Sequence, residues 1–311
     1  MVDLTGAITQ MVVLVAITIV GFAATKLGYL DDHVKAKLTL LLLNVTLPCM
    51  ILGSAGDVDV SSAGRQVVWS LGLGVAQFFL LLVTGALCNL ILRTPFEQRP
   101  IYLFMSVCTN TGFIGIPVAA AIYGNASVLL SSMFITAISL FFYSIGIALI
   151  SPKGTRQGLL APFKAAVNPS SIAAVLALVL LFSGVHLPNV VEETLTTLGG
   201  ITGPIAMLLV GVVVAGLPLR EVVSEWRIYP FTIIRQLLVP AALFVALRPI
   251  VPDPTVLGVF TVMFAMPTGS MASMFAAQYG RDPKLPAKGT ILTTVASFAI
   301  IPALILFMTL V

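Results

Sequence analysis

Two short stretches of the 311-residue chain combine hydrogen-bonding side chains with residues that break helices. In the first, Met105 to Gly124, the residues Asn110, Thr111, Gly112, Gly115 and Pro117 fall within eight positions. In the second, AMPTGS from Ala265 to Ser270, Pro267 is followed directly by Thr268, Gly269 and Ser270. Both stretches are embedded in apolar sequence. Proline removes a donor and clashes with the preceding turn, and glycine costs about 1 kcal/mol in a helix interior. Backbone freed at membrane depth has to be satisfied by protein or has to line a polar cavity. The start of a half-helix leaves N–H groups with partial positive charge, which suits a carboxylate. The expected chemistry is therefore recognition of a small organic anion. Backbone donors are expected near Gly115 to Val118 and near Thr268 to Ser270, with Asn110, Thr111, Thr268 and Ser270 supplying directional bonds. Pro117 and Pro267 act as structural residues of the breaks. An ordinary proline kink in a packed helix is the bland alternative for either stretch taken alone.

Further polar residues lie outside these stretches. Asn44, in LNVTLP, could approach the site or make an interhelical packing bond. Gln77 and Gln236 are weaker candidates of the same kind. Arg235 is a fixed charge in IIRQLLVP, where insertion into lipid costs about 2.5–3.5 kcal/mol. It either neutralises an anionic substrate, or bonds a broken-helix carbonyl or snorkels to the headgroups. Nothing points to bond-making chemistry. All 12 carboxylates fall in expected loops or termini, and no Ser/His/Asp set, metal-ligand cluster or phosphate-cradling loop is present. No catalytic residue, cofactor or metal is expected. Cys49, Cys88 and Cys108 are isolated in apolar runs and read as packing residues.

The elements that position these residues are membrane spans. Only 9% of residues are charged and mean hydropathy is +1.09, which excludes an ordinary soluble domain. Met1 to Gln10 carries no lysine or arginine, so the first apolar run is expected to be a retained span and not a signal sequence. The pattern predicts an all-α protein with ten spans, at 7–26, 35–55, 67–92, 100–122, 127–150, 169–186, 194–217, 228–248, 255–277 and 287–310. Loops after odd spans hold 13 of the 16 basic residues. The positive-inside rule then places those loops in the cytoplasm and both termini outside. The basic loops are separated and short, so no nucleic-acid partner is expected; membrane lipids are.

An internal shift of 156 residues lays Pro48 on Pro204, Tyr123-Gly124 on Tyr279-Gly280, and Thr111-Gly112 on Pro267-Thr268. Duplication of an odd number of spans gives an inverted repeat. The expected domains are a first five-helix repeat over 1–151, a cytoplasmic linker over 152–168 and a second five-helix repeat over 169–311. Helices 4 and 9 are then the broken pair that crosses near the bilayer centre.

LNVTLPCMIL, TNTGFIGIPV and the MPTG break together resemble the auxin efflux carrier family, including bacterial members identified as malate or malonate permeases. The resemblance covers essentially the whole chain. It implies a scaffold of helices 1, 2, 6 and 7 and a mobile transport domain of helices 3–5 and 8–10. It also implies a homodimer and elevator-like alternating access, with the substrate at the crossing. A location in the bacterial cytoplasmic (inner) membrane follows. The expected function is secondary transport of a small organic anion, a dicarboxylate such as malonate or malate. An auxin-like monocarboxylate efflux carrier, a non-transporting ligand sensor and a channel are the alternatives. With no carboxylate inside an expected span, neither an obligatory sodium site nor a titrating proton carrier is expected.

Overall fold

The computed structural model describes residues 4–57, 60–151, 167–185, 187–216 and 224–311. Most of the expected linker, together with Lys153, Arg156, Lys164, His186 and Arg220, lies outside the described residues. The described chain is helical, in the order α1 (Leu4–Lys26), α2 (Asp32–Gly56), α3 (Val60–Ile91), α4 (Arg99–Val107), α5 (Thr111–Tyr123) and α6 (Ala126–Gly146). It continues as α7 (Pro169–Ser183), α8 (Asn189–Ala215), α9 (Ile228–Leu247), α10 (Pro254–Ala265), α11 (Met271–Gln278) and α12 (Lys284–Leu310).

The expected fold of ten spans in a five-plus-five inverted repeat is corrected by these lengths. Among the described residues six helices are long and apolar enough to cross a membrane: α2, α3, α6, α8, α9 and α12. Four other apolar helical stretches, Val12–Lys26, Thr111–Tyr123, Pro169–Ser183 and Pro254–Ala265, run only 10–17 residues. At about 1.5 Å per residue the last three fall short of a hydrocarbon core about 30 Å thick, whereas Val12–Lys26 is the apolar part of the 23-residue α1. Hydropathy windows run across interruptions that the backbone makes. The expected span 100–122 divides into α4 and α5, and the span 255–277 into α10 and α11.

Three prolines shape helices without breaking them. Pro48, Pro117 and Pro240 each follow a five-residue π turn, at Leu42–Thr46, Thr111–Gly115 and Ile234–Leu238. In each case the residue before the proline donates five positions back: Leu47 to Leu42, Ile116 to Thr111 and Val239 to Ile234. The ring has no N–H and crowds the preceding turn, so the ladder widens by one residue and continues. Side chains cap three of the helix starts. Asp31 accepts from Val34, Asn168 and Ser171 form a capping box, and Asp253 accepts from Thr255 and Val256. Tyr123-Gly124 and Tyr279-Gly280 close helices with the glycines at φ +79° and +69°, a backbone region that favours glycine.

Glycine lets several helices touch backbone to backbone, as in other membrane bundles. A Cβ on Gly211 of α8 would stand 2.3 Å from the Thr18 carbonyl of α1, and one on Gly199 would stand 2.7 Å from Cα of Met50 in α2. A Cβ on Gly74 of α3 would stand 2.9 Å from the Phe134 carbonyl of α6. The closest packing thus joins α1, α2, α7 and α8 in one group, and α3 to α6 with α9 to α12 in another.

Basic residues bind one end of the bundle together. Lys26 donates to the Ala215 carbonyl at 3.1 Å, Arg227 to Leu92 at 3.4 Å, Arg281 to Ile150 at 3.2 Å and Lys288 to the Ser224 hydroxyl at 3.1 Å. At the opposite end Gln66 donates to Asp253 at 2.7 Å, and Arg248 bonds the Val311 carbonyl.

Candidate functional site where two interrupted segments meet

The α10–α11 interruption begins at Met266, whose φ −59° and ψ 143° are extended backbone. A residue before proline is pushed out of the helical region, so Pro267 dictates this break. The α4–α5 interruption contains no proline. It lies at Cys108 to Asn110, ahead of the glycine and proline cluster expected to cause it, with Cys108 at ψ 72° and Asn110 at ψ 52°. Its hydrogen bonds come from the other break. Thr109 and Thr268 form an isolated antiparallel bridge, in which Asn110 N–H donates to the Pro267 carbonyl at 2.8 Å and Gly269 N–H to the Cys108 carbonyl at 2.7 Å. Each interruption satisfies part of the other, which is how exposed backbone persists in an apolar interior.

The carbonyls that end α4 and α10 are held by buried side chains. Arg235 is fully buried on the π turn of α9, and its Nε donates to the Ser106 carbonyl at 3.2 Å while Nη1 donates to the Met266 carbonyl at 2.5 Å. Its neighbour Gln236 donates to the Ala265 carbonyl at 3.1 Å. The Thr268 hydroxyl donates to the Met105 carbonyl at 3.2 Å, and Thr268 N–H donates to the Thr293 hydroxyl at 3.1 Å. The last carbonyls of a helix lack intrahelical partners and carry partial negative charge, so a guanidinium is a favourable cap. Arg235 thereby joins the two breaks through their acceptor ends. Of the two roles open to it from sequence, the geometry shows carbonyl bonding.

The opposite side of the meeting point faces a cavity of about 400 Å³, within the range of small-molecule sites. Thr109 to Phe113, Gly269 to Met271, Asn44, and Ser139 and Tyr143 of α6 line it, and the capped start of α7 at Asn168 closes part of it. Among the described residues the N–H groups of Thr111, Gly112 and Phe113 have no acceptor, nor do those of Ser270 and Met271. The Asn110 carboxamide and the Thr111 hydroxyl also make no hydrogen bond there. Two helix starts therefore present unspent donors to one space, an arrangement suited to the oxygens of an anion.

The expected residues separate into two sets. Asn44, Asn110, Thr111, Gly112, Gly269 and Ser270 line the cavity. Asn44 also donates to Leu40 of its own helix at 2.9 Å. Thr268 and Arg235 are fully buried and used by the carbonyl scaffold instead. Gly115 packs against α10, where a Cβ would stand 2.7 Å from Sδ of Met263, whereas a Cβ on Gly112 would meet nothing within 4 Å. Donors in α5 begin at Thr111, four residues earlier than the expected Gly115, because Pro117 sits inside the helix and the break precedes it. The polar residues Ser139 and Tyr143 were missed. Ser132, Thr136, Ser139 and Tyr143 recur every three or four residues, a polar stripe on an otherwise apolar helix that helical periodicity could have revealed.

Comparison with known proteins is consistent with a chain that spans a membrane. The chain is 25% identical over 304 residues to an uncharacterized transporter of Methanocaldococcus jannaschii, covering 94% of this chain and 95% of that protein. It is 23% identical over 308 residues to an uncharacterized transporter of Methanothermobacter thermautotrophicus, covering 96% and 97%. The family described as membrane transport protein matches over residues 6–164 and 156–306, nearly the whole length. This multi-pass helical chain, whose interrupted segments border one cavity, belongs to the membrane transport protein family.

Proposed function

We propose that this family member is a secondary transporter of a small organic anion, with a dicarboxylate such as malonate or malate as the favoured class. The observation that carries the reading is the pair of helix starts at Thr111 and Met271, whose free N–H groups border one cavity with Asn110 and Thr111. A bound carboxylate would accept from these groups and from the Asn110 amide. Arg235 contributes through the field of its buried charge and by holding the breaks, without contacting the anion.

Movement in this reading is elevator-like. The scaffold comprises α1, α2, α7 and α8, and the meeting breaks travel with α3 to α6 and α9 to α12. The packing groups support that division, and the cavity lies between them, with α2 and the start of α7 on one side and α5, α6 and α11 on the other. The end gathered by Lys26, Arg227, Arg281 and Lys288 faces the cytoplasm in this reading.

Counterflow of labelled malonate in proteoliposomes tests the proposal. Saturable exchange, reduced by Asn110→Ala, is the expected result. Binding without flux would indicate a sensor, and flux that never saturates would indicate a channel. The same vesicles, sodium-free and voltage-clamped, test coupling. Electrogenic flux without sodium is expected, and strict sodium dependence would overturn that part.

A further inference from the structure

A second, smaller cavity adjoins the first. It measures about 70 Å³ and is lined by Lys35 and Thr39 of α2 and by Thr290 and Thr294 of α12, against an apolar wall from α8. Asn110, Phe113 and Ser270 line both cavities, so the two spaces abut at the meeting point of the breaks. At about 70 Å³ against about 400 Å³ it is the smaller chamber of the pair, with room for one polar group of a ligand.

Its polar groups are largely unspent. The Thr294 side chain is 2% exposed, and neither its hydroxyl nor that of Thr39 makes a hydrogen bond among the described residues. Thr290 differs, because its hydroxyl is used on the Gly269 and Pro286 carbonyls at 3.2 and 3.0 Å. Among the described residues the Lys35 ammonium has one ionic neighbour, Asp32, at 3.8 Å on the same helix, and that carboxylate is fully exposed. A solvated pair of this kind holds its partners weakly. Lys35 borders the cavity together with apolar residues of α8 and keeps 38% of its side chain exposed, so its charge acts on an anion there through partly solvated space.

We propose that the smaller cavity is the subsite for the second carboxylate of a dianionic substrate. Lys35 supplies the counter-charge, and the Thr39 and Thr294 hydroxyls donate to the carboxylate oxygens. The proposal rests on the anion-binding reading above, in which the first carboxylate occupies the free N–H groups of the breaks. Lys35 and Thr39 belong to α2, whereas the breaks belong to the other packing group. A dianion would therefore bridge the two groups, while a monoanion of the same length would engage the breaks alone. The consequence is selectivity for dicarboxylates.

The test is equilibrium binding of malonate and of monomethyl malonate, which keeps the skeleton and loses one charge. Purified protein in nanodiscs at mildly alkaline pH keeps every carboxylate ionised. Wild type is expected to prefer malonate by about tenfold or more, the ratio for losing one hydrogen bond to a charged group. Lys35→Gln should remove that preference by weakening malonate alone, Lys35→Arg should keep most of it, and Thr294→Val should reduce it less than Lys35→Gln. Unchanged binding of the monoester reports an intact fold in each variant. Equal binding of the two probes by wild type, or a malonate preference that survives Lys35→Gln, overturns the subsite and leaves the anion site standing. Failure of wild type to bind either probe overturns both.

Discussion

On the Arg235 side of the meeting point, the carbonyls of Met105, Ser106, Ala265 and Met266 each accept a hydrogen bond from a buried side chain. On the cavity side, the N–H groups of Thr111, Gly112, Phe113, Ser270 and Met271 find no acceptor among the described residues. Both sets are orphan groups of interrupted helices, and orphan backbone is costly in an apolar setting. The protein closes one set permanently and leaves the other next to open space. The closed side supplies rigidity, and rigidity is what lets the open side hold its donors in place before a ligand arrives. The breaks also differ in origin. Pro267 forces one locally, whereas the other exists through its bridge to the first.

The most severe way to break this contrast is Arg235→Met. Two buried carbonyls would lose their partners, at about 1–3 kcal/mol each. Thermal unfolding in nanodiscs should fall by several degrees or more, and malonate binding should disappear with it. Arg235→Met protein that unfolds and binds like wild type would show that the carbonyl side supports nothing.

Next in size is Asn110→Ala, which acts on the open side. Its carboxamide has no partner among the described residues, so removal should change stability by no more than about 0.5 kcal/mol. Malonate affinity should drop tenfold to a hundredfold, about the loss of one hydrogen bond to a charge. A fall in unfolding temperature with unchanged affinity would reverse the assignment of the two sides. Thr293→Val comes third. It removes the acceptor of Thr268 N–H while keeping shape, and should destabilise the protein by about 1–3 kcal/mol with only a secondary loss of affinity.

The smallest effect has the opposite sign. A methyl on Gly112 meets nothing within 4 Å, and alanine gains about 0.5–1 kcal/mol over glycine inside a helix. Gly112→Ala should therefore unfold at a slightly higher temperature and bind malonate more weakly, because the methyl projects into the cavity. Tighter binding would place the ligand elsewhere.

Composition and local pattern determined that this chain lives in a membrane, which segments are helical and where polar residues interrupt them. Those properties follow from residue type and near neighbours: charge scarcity, the missing proline donor, and Asn, Thr and Ser next to glycine. Helix length was less legible. A hydropathy window averages across Cys108 to Asn110 and across Met266 to Ser270, so it joins pieces that the backbone separates. The first break shows the limit most clearly, since Pro117 marked the neighbourhood but the bonds that stabilise the interruption come from residues about 160 positions away. The fate of Arg235 was open for the same reason. A buried guanidinium needs acceptors, and whether they are a ligand's oxygens or the Ser106 and Met266 carbonyls depends on which segments pack against α9. Tertiary structure alone decided that, by bringing two helix ends to one side chain and two helix starts to one cavity.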